Sequence, residues 1–281
     1  MKIAVCIASR GRPAALIGAV MAAWRLRTGR HDVQFILGVD DDDGFTHKHL
    51  LAFMGEVEPI IVSPPAITVR GEVENAMLAA ASEREPDAVT LLSDRAYIIT
   101  PGWDEGLAVG VNTEPKRVVW WSCPDDKGCV MPVIPSAYLR AVDYRWSSEV
   151  HPYWWDDSAQ QEIDLMLHGL PSMKIHPMYS GRRGPTQSAR EFVFWLDVFK
   201  AMRPQRRAQA RQIAATLELP FIERPDVEQY FAAYDNAMRA RCEEFEKGYG
   251  DTDPPTARYL LARARAEKWI LPQAATQETA A

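Results

Sequence analysis

Short apolar segments, each followed directly by polar residues, alternate with helix-forming segments along the first hundred residues. Their β-branched, apolar character predicts buried strands, and the four segments are Lys2–Ala8, Val33–Val39, Ile60–Val62 and Ala88–Leu92. The intervening Ala14–Trp24 and Gly71–Ala81 have the composition of helices. The order β-α-β-β-α-β predicts an α/β fold with a mostly parallel sheet flanked by helices.

Polar side chains stand where three of these strands end. They are Ser9, Arg10 and Arg12 after the first strand, Asp40–Asp43 after the second, and Ser93, Asp94 and Arg95 after the fourth. Each residue alone is also typical of a turn. In open α/β sheets, however, ligands bind outside the carboxyl ends of the strands. We therefore expect these groups to share one edge, where they offer acceptors to a base or ribose and cations to phosphates.

Composition limits the classes of protein that this chain can belong to. It has 281 residues and a net charge of −6, which is not typical of a nucleic-acid-binding protein. No apolar run approaches a membrane span of about 20 residues, and the N-terminus lacks a signal-peptide pattern. The four cysteines form no CxxC pair, so we expect a reduced, cytoplasmic protein. Glycine-rich GxGxxG and GxxxxGKS/T phosphate loops are missing from the sequence.

One stretch departs from the acidic balance of the chain. Residues 182–211 hold eight basic side chains against two acidic ones, a local charge of +6. One interpretation is a positive surface for a polyanion such as DNA. The alternative is a helix whose arginines pair with acidic residues of the C-terminal helices, for example Glu243, Glu244 and Glu246.

Four segments of the sequence, taken in order, resemble a known family. They are similar to the nucleotide-sugar half of GT-A glycosyltransferases, within the family-two-like inverting group. The segments are IASRGRP, VDDDDG, Arg70-Gly71 with Asn75-Ala76, and LLSDRAYIITPGWDEGL. The resemblance covers roughly residues 1–180. It implies a GT-A-like, Rossmann-type sheet and transfer of a sugar, with a UDP-sugar as the expected donor, to an acceptor hydroxyl.

The resemblance also implies roles for individual residues. The expected donor-binding residues are Ser9, Arg10, Arg12, Asp40, Asp41, Arg70, Asn75, Ser93, Asp94, Arg95, Arg182 and Arg183. Asp94 takes the Asp-x-Asp position of the family, where Arg95 replaces the second carboxylate. Two options follow. Asp94 holds Mg²⁺ or Mn²⁺ together with the donor diphosphate and waters, with His176 as a further candidate ligand, or Arg95, Arg182 or Arg183 neutralises the diphosphate without metal.

The family places an acidic general base on the acceptor side, and Trp154-Trp155-Asp156-Asp157 fits that position. Asp156 or Asp157 would take the proton of the acceptor hydroxyl. The alternative is that this pair only caps a helix beginning near Ser158.

We therefore expect the chain to contain a GT-A-like domain over 1–215, a helical extension over 216–270 and an unstructured tail over 271–281. The expected acceptor is a carbohydrate, or a hydroxylated base in DNA bound through the Arg-rich segment 182–211. Two other functions remain open at this point. One is a sugar-1-phosphate nucleotidyltransferase, for which SRGRP is a poor match to the expected glycine-rich loop, and the other is a non-catalytic nucleic-acid-binding module.

Overall fold

The computed structural model describes residues 1–53, 55, 57–66, 68–122, 131–146, 148, 150, 156–169, 173–181, 191–223, 225–248, 255 and 257–278. The strands of this part of the chain are β1 (Lys2–Ser9), β2 (Asp32–Val39), β3 (Ile60–Val62), β4 (Ala88–Ser93), β5 (Ala96–Ile98), β6 (Val119–Ser122), β7 (Pro132–Pro135) and β8 (Met173–Gly181). The helices are α1 (Pro13–Leu26), α2 (Gly44–Phe53), α3 (Arg70–Ser82), α4 (Trp103–Thr113), α5 (Ser136–Ala141), α6 (Asp156–His168), α7 (Phe192–Ala201), α8 (Arg203–Leu217), α9 (Pro225–Gly248) and α10 (Ala257–Glu278).

The strands form one sheet in the order β3-β2-β1-β4-β7-β6-β8-β5. β1 lies between β2 and β4 and runs parallel to both, so Ser9 pairs with Val39 and Ala8 pairs with Ser93. Strand β7 is antiparallel to both β4 and β6, whereas β8 is parallel to β6. The carboxyl ends of β1, β2 and β4 therefore meet at one edge of the sheet.

The central strand β1 is buried almost throughout, which explains its continuous apolar sequence. Helix α1 covers the sheet with one apolar face formed by Leu16, Ala19, Val20 and Ala23, the spacing expected of an amphipathic helix. Burying a tryptophan requires a partner for its indole N–H. Trp103 donates to the Ala23 carbonyl and Trp121 donates to Thr90 Oγ1, each at 2.8 Å.

The chain divides into two compact units. The first comprises Met1–Thr68, Glu72–Ser147 and Ser172–Arg183, and the second comprises Val69–Gly71, Ser148–Pro171 and Gly184–Ala281. The first unit contains the sheet. Within the second, Val69, Trp195, Val198, Ala262 and Ala266 form one buried apolar cluster. None of the described helices is both long enough and apolar enough to cross a membrane.

The predicted α/β sheet and its first four strands are confirmed, as are helices over α1 and α3. Helix α2 was not predicted, because its cap lies in a run of four aspartates that also suits a turn. The backbone of α10 is helical as far as Glu278, although an unstructured tail was expected from residue 271. Ala, Gln and Glu residues in that stretch favour helix. The predicted limits at 215 and 270 stay predictions.

Candidate functional site

Asp94 lies at the exit of β4 and joins two strand ends. Its carboxylate is buried, with 1% of the side chain exposed. Ser9, the last residue of β1, donates a hydrogen bond from its hydroxyl to Asp94 Oδ2 at 2.7 Å. The parallel register that pairs Ala8 with Ser93 brings these two side chains together. Ser93 Oγ accepts the Arg95 N–H at 3.2 Å and so holds the turn that follows Asp94.

Arg12 is the cationic partner of Asp94. Its Nε lies 2.8 Å from Asp94 Oδ2, and its side chain is 41% exposed. Arg12 precedes Pro13, the first residue of α1, where proline is well tolerated because the first turn leaves its N–H groups unpaired. Arg12 therefore contacts a buried carboxylate through Nε while a large part of its side chain stays exposed.

Arg10 links the same edge to the residues that follow β2. Its Nη1 donates to Asp40 Oδ2 at 2.5 Å, and its two Nη groups bind the two oxygens of Asp42 at 2.7 and 2.9 Å. Asp40 is buried, whereas Asp42 is about half exposed. Hydrogen bonds to Asp42 and then to Asp40 raise the pKa of Arg10 further above its ordinary value. Arg10 is thus a fixed cation between two carboxylates.

Asp43 fixes the loop that carries both arginines. Its Oδ2 accepts the Gly11 N–H at 2.6 Å, and its Oδ1 accepts the Thr46 N–H at 3.1 Å, which caps α2. Gly11 has a φ of 64°, a left-handed conformation that other residues rarely adopt. Burial alone raises the pKa of Asp43, but the hydrogen bonds from Gly11 and Thr46 together lower it.

The predicted residues Ser9, Arg10, Arg12, Asp40, Ser93, Asp94 and Arg95 thus lie at one edge of the sheet. Asp41 differs from Asp40 because its side chain is exposed, and its N–H binds the Pro64 carbonyl at 2.9 Å. Asp42 and Asp43, which the sequence analysis named only within the run Asp40–Asp43, bind Arg10 and Gly11 respectively. Asp43 directly precedes α2, and Asp is a favoured residue at the N-cap of a helix.

Other predicted site residues are placed less fully. Asn75 is buried on α3 in the first unit, whereas Arg70, the first residue of α3, belongs to the second unit. Asp156 and Asp157 begin α6 and His176 lies on β8, but their side chains are outside the described part of the structure. Arg182 and Arg183 lie outside the described residues altogether. The roles of all these residues stay predictions.

The described arginines of the 182–211 segment do not form an open positive surface, so that prediction is wrong for this part of the segment. Arg203 binds Glu162 and Asp235, and Arg206 is buried against Glu162 and the Phe199 ring. Arg207 pairs with Glu228 and Arg211 with Glu223. The alternative, in which these arginines pair with acidic residues of neighbouring helices, describes the contacts better. The carboxylates come from α6 and the α8–α9 region and not from the examples Glu243, Glu244 and Glu246.

A buried pair such as Arg206–Glu162 costs about 3–5 kcal/mol to break.

The described residues around Asp94 do not by themselves supply a set of oxygen ligands for a divalent cation. Mg²⁺ and Mn²⁺ require several oxygen ligands in a fixed geometry. Among the residues that the structure describes, no group of three His, Cys, Asp or Glu side chains could hold a metal ion. Asp94 Oδ2 already contacts a hydroxyl and a guanidinium.

The dual contact of Asp43 leads to a prediction about stability and pH. Asp43→Asn keeps a good N-cap for α2 but loses the anionic acceptor of the Gly11 N–H. A hydrogen bond to a charged group contributes about 1.5–3 kcal/mol, so we expect a loss of about that size in the free energy of unfolding at neutral pH. Urea denaturation measures it, with the exposed neighbour variant Asp41→Asn as a control that should match wild type.

The sign of the pH dependence follows from the lowered pKa of Asp43. A carboxyl with a lower pKa in the folded state stabilises the fold above its unfolded pKa, about 3.9. That stabilisation is lost as the pH falls through the folded pKa. The difference between wild type and Asp43→Asn should therefore shrink below about pH 4. A difference that stays constant from neutral pH to pH 3 would contradict the account.

Comparison with known proteins gives a match in structure but not in sequence. No protein-family model and no curated protein matches this chain significantly. The mannosyltransferase PcManGT from Pyrobaculum calidifontis, solved with GDP-Man and Mn²⁺, aligns with a TM-score of 0.55 and 10% identity, over 94% of this chain and 79% of that one. S. aureus TarS 1-349 in complex with UDP aligns with a TM-score of 0.53 and 11% identity, over 90% of this chain and 74% of that one.

A further structure, TarS 1-349 in complex with UDP-GlcNAc, gives the same TM-score of 0.53, at 11% identity over 89% of this chain. At these identities the similarity establishes architecture rather than chemistry. The architecture agrees with the one implied by the strand-end motifs. This chain has the GT-A fold of nucleotide-sugar glycosyltransferases, a mostly parallel α/β sheet flanked by helices.

Proposed function

We propose that this protein is a glycosyltransferase that moves a sugar from a nucleoside diphosphate donor to an acceptor hydroxyl. The observation that carries the proposal is the cluster of Ser9, Arg10, Arg12, Asp40 and Asp94 at the carboxyl edge of the sheet. Ligands of open α/β folds bind at that edge. The structurally similar proteins were solved with GDP-Man, UDP and UDP-GlcNAc, which supports a nucleotide-sugar donor.

The cluster supplies the two kinds of group that such a donor needs. Asp40 is a buried acceptor suited to the N–H and O–H groups of a base or ribose. Arg12 presents a half-exposed guanidinium suited to phosphate oxygens. When the sugar leaves, negative charge accumulates on the diphosphate, and a fixed cation stabilises that charge in the transition state.

Asp156 or Asp157 is proposed as the general base that removes the proton of the acceptor hydroxyl. The support is their place at the first two positions of α6, together with the family resemblance. A carboxylate in this role typically contributes about 10²–10⁴-fold to the rate. A carbohydrate is the preferred acceptor, because the described arginines of segment 182–211 are engaged with carboxylates and offer little support for DNA.

The alternative of a sugar-1-phosphate nucleotidyltransferase has less support. Such an enzyme requires a phosphate-binding loop rich in glycine after the first strand. Here the loop has one glycine, Gly11, and its N–H is bound to Asp43. That backbone donor is already used within the protein.

Donor binding is the first test of the proposed function. Calorimetry with UDP, GDP and dTDP should show binding of at least one nucleotide to the wild-type protein. Asp40→Asn should weaken that binding by about 10–100-fold, the equivalent of one hydrogen bond to a charged group. Asp41→Asn, one residue away and exposed, is the matched control and should bind within about two-fold of wild type.

Two results would reject this assignment. Absence of binding for all three nucleotides up to millimolar concentration would reject the glycosyltransferase proposal. Loss of binding in Asp41→Asn with full binding in Asp40→Asn would reject the placement of the donor.

The proposed base is tested by release of nucleoside diphosphate from UDP-GlcNAc and GDP-mannose, the donors of the similar structures. Of Asp156→Asn and Asp157→Asn, one should lose about 10²–10⁴-fold in rate while its donor affinity stays unchanged. The other variant serves as the control for capping of α6. If both stay within a few-fold of wild type, neither residue is the base.

A further inference from the structure

Asp94, the residue in the family's metal position, is in contact with a guanidinium group. Arg12 contacts the Asp94 carboxylate directly, and Arg95 follows it in sequence where the family has a second carboxylate. A divalent cation bound to Asp94 Oδ2 would compete with Arg12 and the Ser9 hydroxyl for that oxygen. It would also face the repulsion of the Arg12 guanidinium. The contacts from Ser9 and Arg12 thus compete with a metal ion for this oxygen of Asp94.

The two arginines of the loop after β1 differ in how fully their charge is compensated. Arg10 donates one hydrogen bond to Asp40 and two to Asp42. Arg12 shares a single contact with Asp94, made through Nε. Because the contact is at Nε and the side chain is 41% exposed, we infer that an incoming anion meets the two Nη groups. Together these groups form the fork that binds two phosphate oxygens at once.

We propose that the guanidinium of Arg12, held by Asp94 and assisted by Arg95, takes the place of the divalent cation, so that the nucleoside diphosphate binds without metal. This inference rests on the proposed function, since it concerns the diphosphate of the same donor. Asp94 then acts as a positioning residue: its buried carboxylate orients Arg12 and does not ligate a metal. Ser9 fixes Asp94 in turn through its hydroxyl.

The wild-type protein tests the proposal without any substitution. Calorimetry of UDP and GDP binding is carried out once in excess EDTA and once with MnCl₂. The proposal expects the same Kd, within about two-fold, in both conditions. Binding that occurs only with Mn²⁺ would overturn it while leaving the proposed glycosyltransferase function in place. Absence of binding in both conditions would reject the proposed function and this inference with it.

Variants then test whether Arg12 carries the effect. In EDTA, Arg12→Gln should bind the nucleotide about 10–100-fold more weakly, and Mn²⁺ should restore part of the affinity because Asp94 is released. Arg95→Asp removes the assisting cation and places a second carboxylate beside Asp94, so it should weaken binding in EDTA and leave part of the affinity to be restored by Mn²⁺. Arg30→Gln is the matched control, because Arg30 is 76% exposed and contacts Glu105 rather than the strand ends.

A melting curve for each variant separates loss of binding from loss of folding. Wild-type affinity for the nucleotide in a folded Arg12→Gln protein in EDTA would overturn the role of Arg12. Weaker nucleotide binding by Arg30→Gln would show that the effect depends on the overall charge of the protein, which would also overturn the proposal.

Discussion

The parallel pairing of β1 with both β2 and β4 is the constraint on which the site depends. Its register places Ser9 beside Val39 and Ala8 beside Ser93, so three loops leave the sheet at one edge. The side chains that follow the strands then have partners far away in sequence but close in space. Without that register, the buried Asp94 carboxylate would contact neither the Ser9 hydroxyl nor the Arg12 guanidinium. An unpaired buried charge of this kind is energetically unfavourable.

The same pairing that stabilises the fold prepares the site for a ligand with opposite groups. Burying Asp40 and Asp94 is tolerated because Arg10 and Arg12 compensate their charge. In the proposed complex a nucleoside diphosphate offers donors to Asp40 and phosphate oxygens to Arg12, while Asp94 keeps its contact with Arg12. The cost of removing these charges from water is then met during folding rather than during binding, which favours affinity.

The sequence predicts much of the sheet and only part of the site. β1 and β4 could be predicted because strands buried on both faces are continuously apolar and end abruptly in polar residues. The choice between Asp40 and Asp41 could not be made, because both follow the same strand and only the turn decides which side chain is buried. Arg206 and Glu162 are 44 residues apart in sequence, so their pairing depends on helix packing that a local pattern does not contain.

Crystals grown with UDP or GDP and MnCl₂ test the central claim most directly, because manganese has a measurable anomalous signal. We expect the diphosphate against the Arg12 guanidinium, the base or ribose against Asp40, and no manganese peak beside Asp94. A manganese ion coordinated by Asp94 and the diphosphate, with Arg12 displaced, would contradict the account. So would a nucleotide bound away from the carboxyl ends of β1, β2 and β4.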